Sequence, residues 1–448
     1  MGMTHGWMGG RLLWSVALAV ALAGCGPVEA PEASPRAREA ELSGGDFVWV
    51  KHLGSSRSDQ ASAVAFDRDG NILALLNYQG SVDLGAGPVG SGNPDSHGFA
   101  VAKYTTAGAL LWTRSFEVAP PPGGQSFVGA SALTVDRERN VVIAGSSSGS
   151  IDLGGGTRPA GDFLLKLHKT GQFQWARHFT GNITMGGLVT DSQDAIGLTG
   201  SAYLTVDFGL GPNSSMVSDV RTAFLTKFNA AGMPQWTVRE QWNLGSGSSV
   251  AVDETDAFYF AGIHYPDPQV WKVHPTGTVV WTRSLVNASG GALGVAVQGN
   301  RVVAGGQIND AFTFAGQDFP KPADGNVGFV AAWTLAGEER WAHSYPQPVG
   351  AVAMGEDDSV VVGGAATAVD SSAGYTLFTA RLERIQGQQH WRRTFSSTGR
   401  PYFTDVAVNK QGEFVGAGSF SGTLRLGTTD YVSRGFDDGF LFKGLTAP

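Results

Sequence analysis

Seven tryptophans set the terms on which this chain can fold. Trp49, Trp112, Trp175, Trp236, Trp281, Trp341 and Trp391 recur in similar surroundings. A repeat on this scale implies a unit that buries its apolar face against copies of itself. Gly108, Gly171, Gly232, Gly277, Gly337 and Gly387 each stand four positions before one of these tryptophans. Upstream lies an apolar run ending in a cation, as in Phe99-Ala100-Val101-Ala102-Lys103, Phe163-Leu164-Leu165-Lys166, Phe224-Leu225-Thr226-Lys227, Phe378-Thr379-Ala380-Arg381 and Phe440-Leu441-Phe442-Lys443. Apolar run, Gly turn and Trp run together read as a hairpin.

After each Trp run comes a segment of small and β-branched residues, usually closing on Asp or Asn, such as Ala63-Val64-Ala65-Phe66-Asp67 or Val250-Ala251-Val252-Asp253. A turn such as Arg68-Asp69-Gly70-Asn71 follows, then a strand ending near Gly, such as Ile143-Ala144-Gly145. Four strands per unit and no helical period predict an all-β fold, a single seven-bladed β-propeller of four-stranded blades. Asp46 to Pro448 spans 403 residues, about 58 per unit, which suits a propeller repeat with long loops. The strand at Phe440 to Lys443 has no Trp strand after it, and Trp49 has no partner before it. The N-terminal strand should therefore close the ring and remove two open sheet edges. The Ala/Val segments would be innermost, where only small side chains fit, and the Trp strands outermost.

A further arm recurs as Ser81-Val82-Asp83-Leu84-Gly85, Ser150-Ile151-Asp152-Leu153-Gly154, Thr205-Val206-Asp207-Phe208-Gly209 and Thr423-Leu424-Arg425-Leu426-Gly427, and weakly at Ala311 to Gly316. The Trp spacings are 63, 63, 61, 45, 60 and 50, so the fourth and sixth units should lack most of it. The arms are expected to make one face of the disc uneven, and that face to be the contact surface. The whole pattern resembles the repeat of seven-bladed bacterial propellers often called SBBP repeats, a family that implies secreted or surface-attached proteins and little about activity.

The beginning of the chain reads as an export signal. Residues 1–11 carry no acid, and Leu12 to Ala23 is apolar except for Ser15, long enough for a signal core and too short to span a bilayer. Leu22-Ala23-Gly24-Cys25 follows and contains the only Cys of the chain. This resembles the lipobox of bacterial lipoproteins, which implies a signal peptide over 1–24, cleavage before Cys25, and a thioether-linked diacylglycerol with an acylated amino terminus on Cys25. Gly26 rather than Asp follows, which by resemblance to enterobacterial sorting favours the outer membrane. Residues 25–45, rich in Pro, Glu, Ala and Ser, read as a lipidated flexible tether, and residues 46–448 as the propeller.

Composition narrows the functions. One thiol rules out a disulfide framework and paired-Cys zinc sites, and a net charge of −8 argues against a nucleic-acid surface. Gly145-Ser146-Ser147-Ser148-Gly149 fits G-x-S-x-G, but no helix follows Ser147, so a repeat turn is the better reading. Gly85 to Gly90 matches G-x-G-x-x-G but holds Pro88 and precedes no helix. Asp67 to Asn71 has its Gly one place early for a calcium loop and no later bidentate acid, and reads as an Asx turn. The His residues show no metal-binding spacing. No catalytic, metal or cofactor set is therefore expected, and the ligand-binding residues are not identified.

Two positions after the repeated Trp stands Lys51, Arg114, Arg177, Arg283, His343 or Arg393, with Val238 the exception. These cations could bind anionic headgroups or glycans, or could guard the outer strands and lie over the Trp rings; the second is expected. The leading expectation is an outer-membrane lipoprotein, anchored at the membrane by its lipid, whose propeller binds or scaffolds a protein or glycan partner. The turn Gly171-Gln172-Phe173-Gln174-Trp175 is also similar to repeats of quinoprotein dehydrogenases, usually eight-bladed, and to the propeller lipoprotein of the barrel-assembly machine. A propeller enzyme, quinoprotein or glycan-processing, and an outer-membrane assembly factor are thus the alternatives.

Overall fold

The structure is a computed structural model that describes residues 43–118, 120, 126–214, 221–239, 245–321, 326–365 and 374–447. The expected signal peptide and Cys25 lie outside the described residues.

The described chain folds as seven antiparallel blades in a ring. Blade I comprises Asp59–Phe66, Ile72–Gln79, His97–Tyr104 and Leu110–Val118, paired in that order from the axis outward. Blades IV, V and VI repeat it from Gly245–Val252, Gly290–Gln298 and Val349–Met354 as innermost strands. Blades II and III share one strand. Phe173–Thr190 pairs through its first half with Gly161–Leu167 and through its second half with Ile196–Asp207. Blade VII takes Pro401–Val408, Glu413–Phe420 and Asp438–Leu445 from the end of the chain and Phe47–Leu53 from its beginning. Trp49 stands opposite Lys443 in that closing pair, as Trp112 stands opposite Lys103 in blade I.

The apolar core is divided, with one buried cluster in the wedge between each pair of adjacent blades. Leu73, Phe99, Ile143 and Phe163 fill the wedge between blades I and II, and Leu76, Ala102, Val415 and Leu441 the wedge at the closure. A wedge widens toward the rim, and the arms fill the widening. The hairpins Val82–Asp83 with Pro88–Val89, Ile151–Asp152 with Thr157–Arg158, and Phe312–Phe314 with Gln317–Phe319 are such arms. Their apolar residues, among them Val82, Leu84, Ile151 and Phe314, are buried.

The destination of the arms differs from the sequence expectation. They do not build a face of the disc but cross the rim toward the start of the outermost strand. Tyr104 donates to Leu84 O at 2.9 Å, Gly154 packs on Phe173, Gly209 on Pro234, and Ala315 N donates to Glu339 at 2.6 Å. Desolvation of Val and Leu in a widening wedge outweighs projection into water. Blade IV has only the turn between His264 and Asp267 in place of an arm.

The glycines before the tryptophans are explained by two constraints at once. Gly108, Gly171, Gly232, Gly277, Gly337 and Gly387 all have positive φ, between 73° and 92°. In five of these turns the indole of the preceding blade also lies against the Cα, so that a Cβ would stand 2.8 Å from the Trp175 ring at Gly232 and 2.5 Å from the Trp341 ring at Gly387. Gly45, at φ 82°, occupies the seventh such place against Trp391. Gly45 N donates to Leu445 O at 3.1 Å, so the two chain ends together rebuild the turn that the other blades make continuously.

Candidate functional site

Three surfaces could carry function: the cationic rim, the axial channel, and the face formed by the longer connections.

The rim cations join neighbouring blades. Arg114 Nε donates to Gly171 O at 2.7 Å, Arg177 Nε to Gly232 O at 3.0 Å and Arg283 Nε to Gly337 O at 2.6 Å. His343 Nε2 lies 2.6 Å from Gly387 O, and Arg393 donates to Gly44 O at 2.9 Å. Each acceptor belongs to the next blade's turn. The adjacent indoles make the same crossing, Trp112 Nε1 to Lys169 O at 3.0 Å and Trp281 Nε1 to Leu335 O at 3.1 Å. Arg177 and Arg283 also lie over Trp175 and Trp281, at 5.3 and 5.5 Å from the ring centroids, and Lys51 lies over Trp49 at 5.6 Å. The cations are thus held by carbonyls and rings of the fold. Replacing Arg114, Arg177 and Arg283 together by Gln is expected to destabilise the ring by about 1 kcal/mol per site, additively because the sites lie at separate interfaces. Liposome binding of the delipidated protein should be unchanged. Lost liposome binding at unchanged thermal stability would return the rim to a membrane role.

A second ring of contacts stabilises the same turn ends of the strands, nearer the axis. Asp67 accepts from Asp69 N and Asn71 N through Oδ1, both at 2.9 Å, closing the Asx turn, and pairs with Lys103 Nζ through Oδ2 at 2.7 Å. Asp136–Lys166, Asp191–Lys227 and Asp253–Lys272 repeat this at 2.8, 2.8 and 3.8 Å. Burial pushes the Asp67 carboxyl up, but the hydrogen bonds from Lys103 and Asn71 outweigh it and hold it below its ordinary value. In blade V, Ala332 stands opposite Trp341 where the other blades carry the cation.

At the axis, every innermost strand carries a β-bulge at the same height, for example between Ala61 and Ala63, Gly247 and Ser249, and Phe403 and Asp405. The seven strands enclose a channel of about 330 Å³ lined by small residues such as Ser62, Ser131, Ser248, Gly294 and Gly350. Asp405 is the one ionisable side chain among those lining it. Its carboxylate accepts from Val64 N of the next blade at 2.9 Å and from Val406 N at 2.8 Å. Enclosure by the ring pushes it up to about 7. This geometry can hold a proton or hydrogen-bond a small polar molecule.

The residues weighed as motifs have local roles. Ser147 donates to Gly149 O at 2.7 Å within its own turn. Gly85 N and Gly87 N both donate to Asp83 Oδ1, forming the tip of an arm. Among the described residues no group of three or more His, Asp or Glu is placed to hold a metal ion.

The two faces of the disc differ. One carries the short Asx and Gly turns, and the chain enters the ring there at Ser43, with Gly44 against Trp391. The opposite face carries the connections between blades and the starts of the innermost strands. Large apolar side chains are exposed on both faces: Met233, Val280 and Ile385 beside the Gly turns, and on the loop face Phe436 at 69%, Tyr265 at 63% and Val286 at 62%, with Phe127 and Tyr402, so that the exposed aromatic rings stand on the loop face.

No protein-family model matches the chain, and no curated protein matches it. Solved structures with a similar chain path include a streptogramin B lyase, covering 88% of this chain and 97% of its own at TM-score 0.45 and 12% identity. Another is the quinohemoprotein alcohol dehydrogenase from Comamonas testosteroni, covering 90% and 77% at TM-score 0.45 and 11% identity. A protein of unknown function from Dyadobacter fermentans covers 88% and 99% at TM-score 0.43 and 10% identity. At these identities the likeness concerns the fold alone.

Proposed function

We propose that this chain is an exported lipoprotein, attached to the outer membrane through Cys25, whose propeller binds or scaffolds a protein or glycan through its loop face. The observation that carries the reading is the separation of the two faces. The chain enters on the turn face, while Phe436, Tyr265, Val286, Phe127 and Tyr402 lie exposed on the other. A tether preceding Ser43 would leave the loop face free, and aromatic anchors on a rigid scaffold are what recognition surfaces use. The lipobox-like Leu22-Ala23-Gly24-Cys25 and the resemblance to SBBP repeats support export and anchoring. Seven blades rather than eight favour this reading over the quinoprotein and barrel-assembly alternatives.

The test is capture from native membranes, alongside a glycan array, with the soluble disc beginning at Ser43. A partner or glycan retained by the wild type and lost from the Tyr265→Ser, Phe436→Ser double variant is expected. Equal retention by both, or no capture on either assay, would remove the loop face from the account.

A further inference from the structure

Where the ring closes, three ionisable residues from different strands meet, His52 partly buried and both acids shut off from water. His52 ends the closing strand region, Asp59 opens the innermost strand of blade I, and Asp438 opens the third strand of blade VII. Both carboxylates are fully buried. His52 Nε2 lies 2.5 Å from Asp438 Oδ2, which also accepts from Arg434 N at 2.9 Å. Asp59 Oδ2 accepts from Ser55 N at 2.6 Å. The Oδ1 atoms of Asp59 and Asp438 are buried without a hydrogen-bond partner.

Among the described residues no second cation is in ion-pair contact with either carboxylate. The Arg434 guanidinium donates to Gly54 O at 2.9 Å, and the carbonyl of Asp437 takes Asp59 N at 2.7 Å. The Asp437 carboxylate is 3.5 Å from Ser58 Oγ, and Arg57 contributes its backbone N–H to Ser55 Oγ at 3.1 Å. Tyr78 stands opposite Asp59 in the sheet, its phenol pushed up to about 12 by burial with Glu117 adding, and so stays neutral. Phe420 and Tyr431 pack on the His52 ring at 5.4 and 5.9 Å between centroids. Two buried acids therefore share at most one imidazolium, and one negative charge lacks a counterion whenever both ionise.

We propose that Asp59 is a proton-binding site at the seam beside the His52–Asp438 pair, and that its occupancy sets how tightly the ring closes. With the proton bound, Asp59 is neutral and His52 answers Asp438. With it released, two buried carboxylates repel across the junction of blades VII and I. Burial pushes the Asp59 carboxyl up to about 6 from an ordinary 3.8, with Asp438 adding to it. The folded seam thus holds the proton more tightly than the unfolded chain does. Closure is strongest on the acid side, weakens as pH rises from about 4 through about 6, and levels off above.

Hydrogen exchange read by mass spectrometry at pH 5 and pH 8, corrected for intrinsic exchange rates, tests this on the full chain. Protection across Phe47–Leu53 and Asp438–Leu445 should be at least about tenfold greater at pH 5 than at pH 8, while Gly245–Val252 in blade IV changes much less. Asp59→Asn should cut the seam ratio about tenfold; the raised Asp405 carboxylate, which also joins blade VII to Val64 of blade I, accounts for what remains, and adding Asp405→Asn should bring the ratio close to one. A wild-type seam ratio equal to that of blade IV overturns the proposal, whether or not the variants fold. So does a seam ratio that Asp59→Asn leaves unchanged.

Discussion

A chain that begins at Gly54, without the closing strand, is expected to lose cooperative unfolding and the near-ultraviolet signal of its tryptophans. A chain beginning at Ser43 should keep both. The strand Phe47–Leu53 supplies the outer pairing of Asp438–Leu445, whose inner edge pairs with Glu413–Phe420, and Trp49 donates across the next interface to Thr106 O at 3.1 Å. Its removal bares an edge strand. It also strips Asp438, fully buried, of its only imidazole partner; leaving a buried charge uncompensated costs about 3–5 kcal/mol. A wedge core then opens on one side, exposing residues such as Leu441 and Ala102. A peptide spanning residues 43–58, added in trans, should restore the tryptophan signal. Cooperative unfolding of the shortened chain, with an unchanged spectrum, would mean that six blades hold the fold without closure.

Cys25→Ser is expected to move the protein from the membrane fraction to the soluble exported fraction almost completely. Two or three acyl chains, at about 0.8 kcal/mol per buried methylene, make attachment stable, and nothing else proposed for the chain replaces them. The rim cations would not compensate, because Arg114, Arg177 and Arg283 are occupied by carbonyls of neighbouring blades. Intact mass of the membrane-extracted wild type should show a diacylglyceryl group and an acyl chain on a terminus beginning at Cys25. Membrane attachment surviving in Cys25→Ser would shift the anchor elsewhere.

Much of the architecture was legible because it is repeated. A Gly four residues before a Trp, found again and again, marks one turn with one steric demand, and the unpaired strands at the two ends imply closure. The cation after the Trp was visible too, but its acceptor is a backbone carbonyl some 55 residues away, and carbonyls carry no sequence mark. The Asp67–Lys103 pairing was present as two separate regularities, the acid ending one strand and the cation ending another, and only the register joins them. The axial bulges were invisible because an extra Ser62, Leu293 or Gly350 has no composition in common. The arms were recognised, yet their course across the rim depends on wedges that exist only once the blades are assembled. Least legible was the seam cluster, since His52 and Asp438 are 386 positions apart and belong to no repeat.

The central claim is that the loop face, turned away from the point where the chain enters the ring, is the recognition surface. Photoreactive side chains placed singly at Phe436 and Tyr265 on that face, and at Met233 and Ile385 on the turn face, test it in intact cells. All four positions are exposed. The account predicts a discrete crosslinked species from Phe436 or Tyr265 and none from Met233 or Ile385. Adducts confined to the turn face, or absent from all four positions, would contradict it.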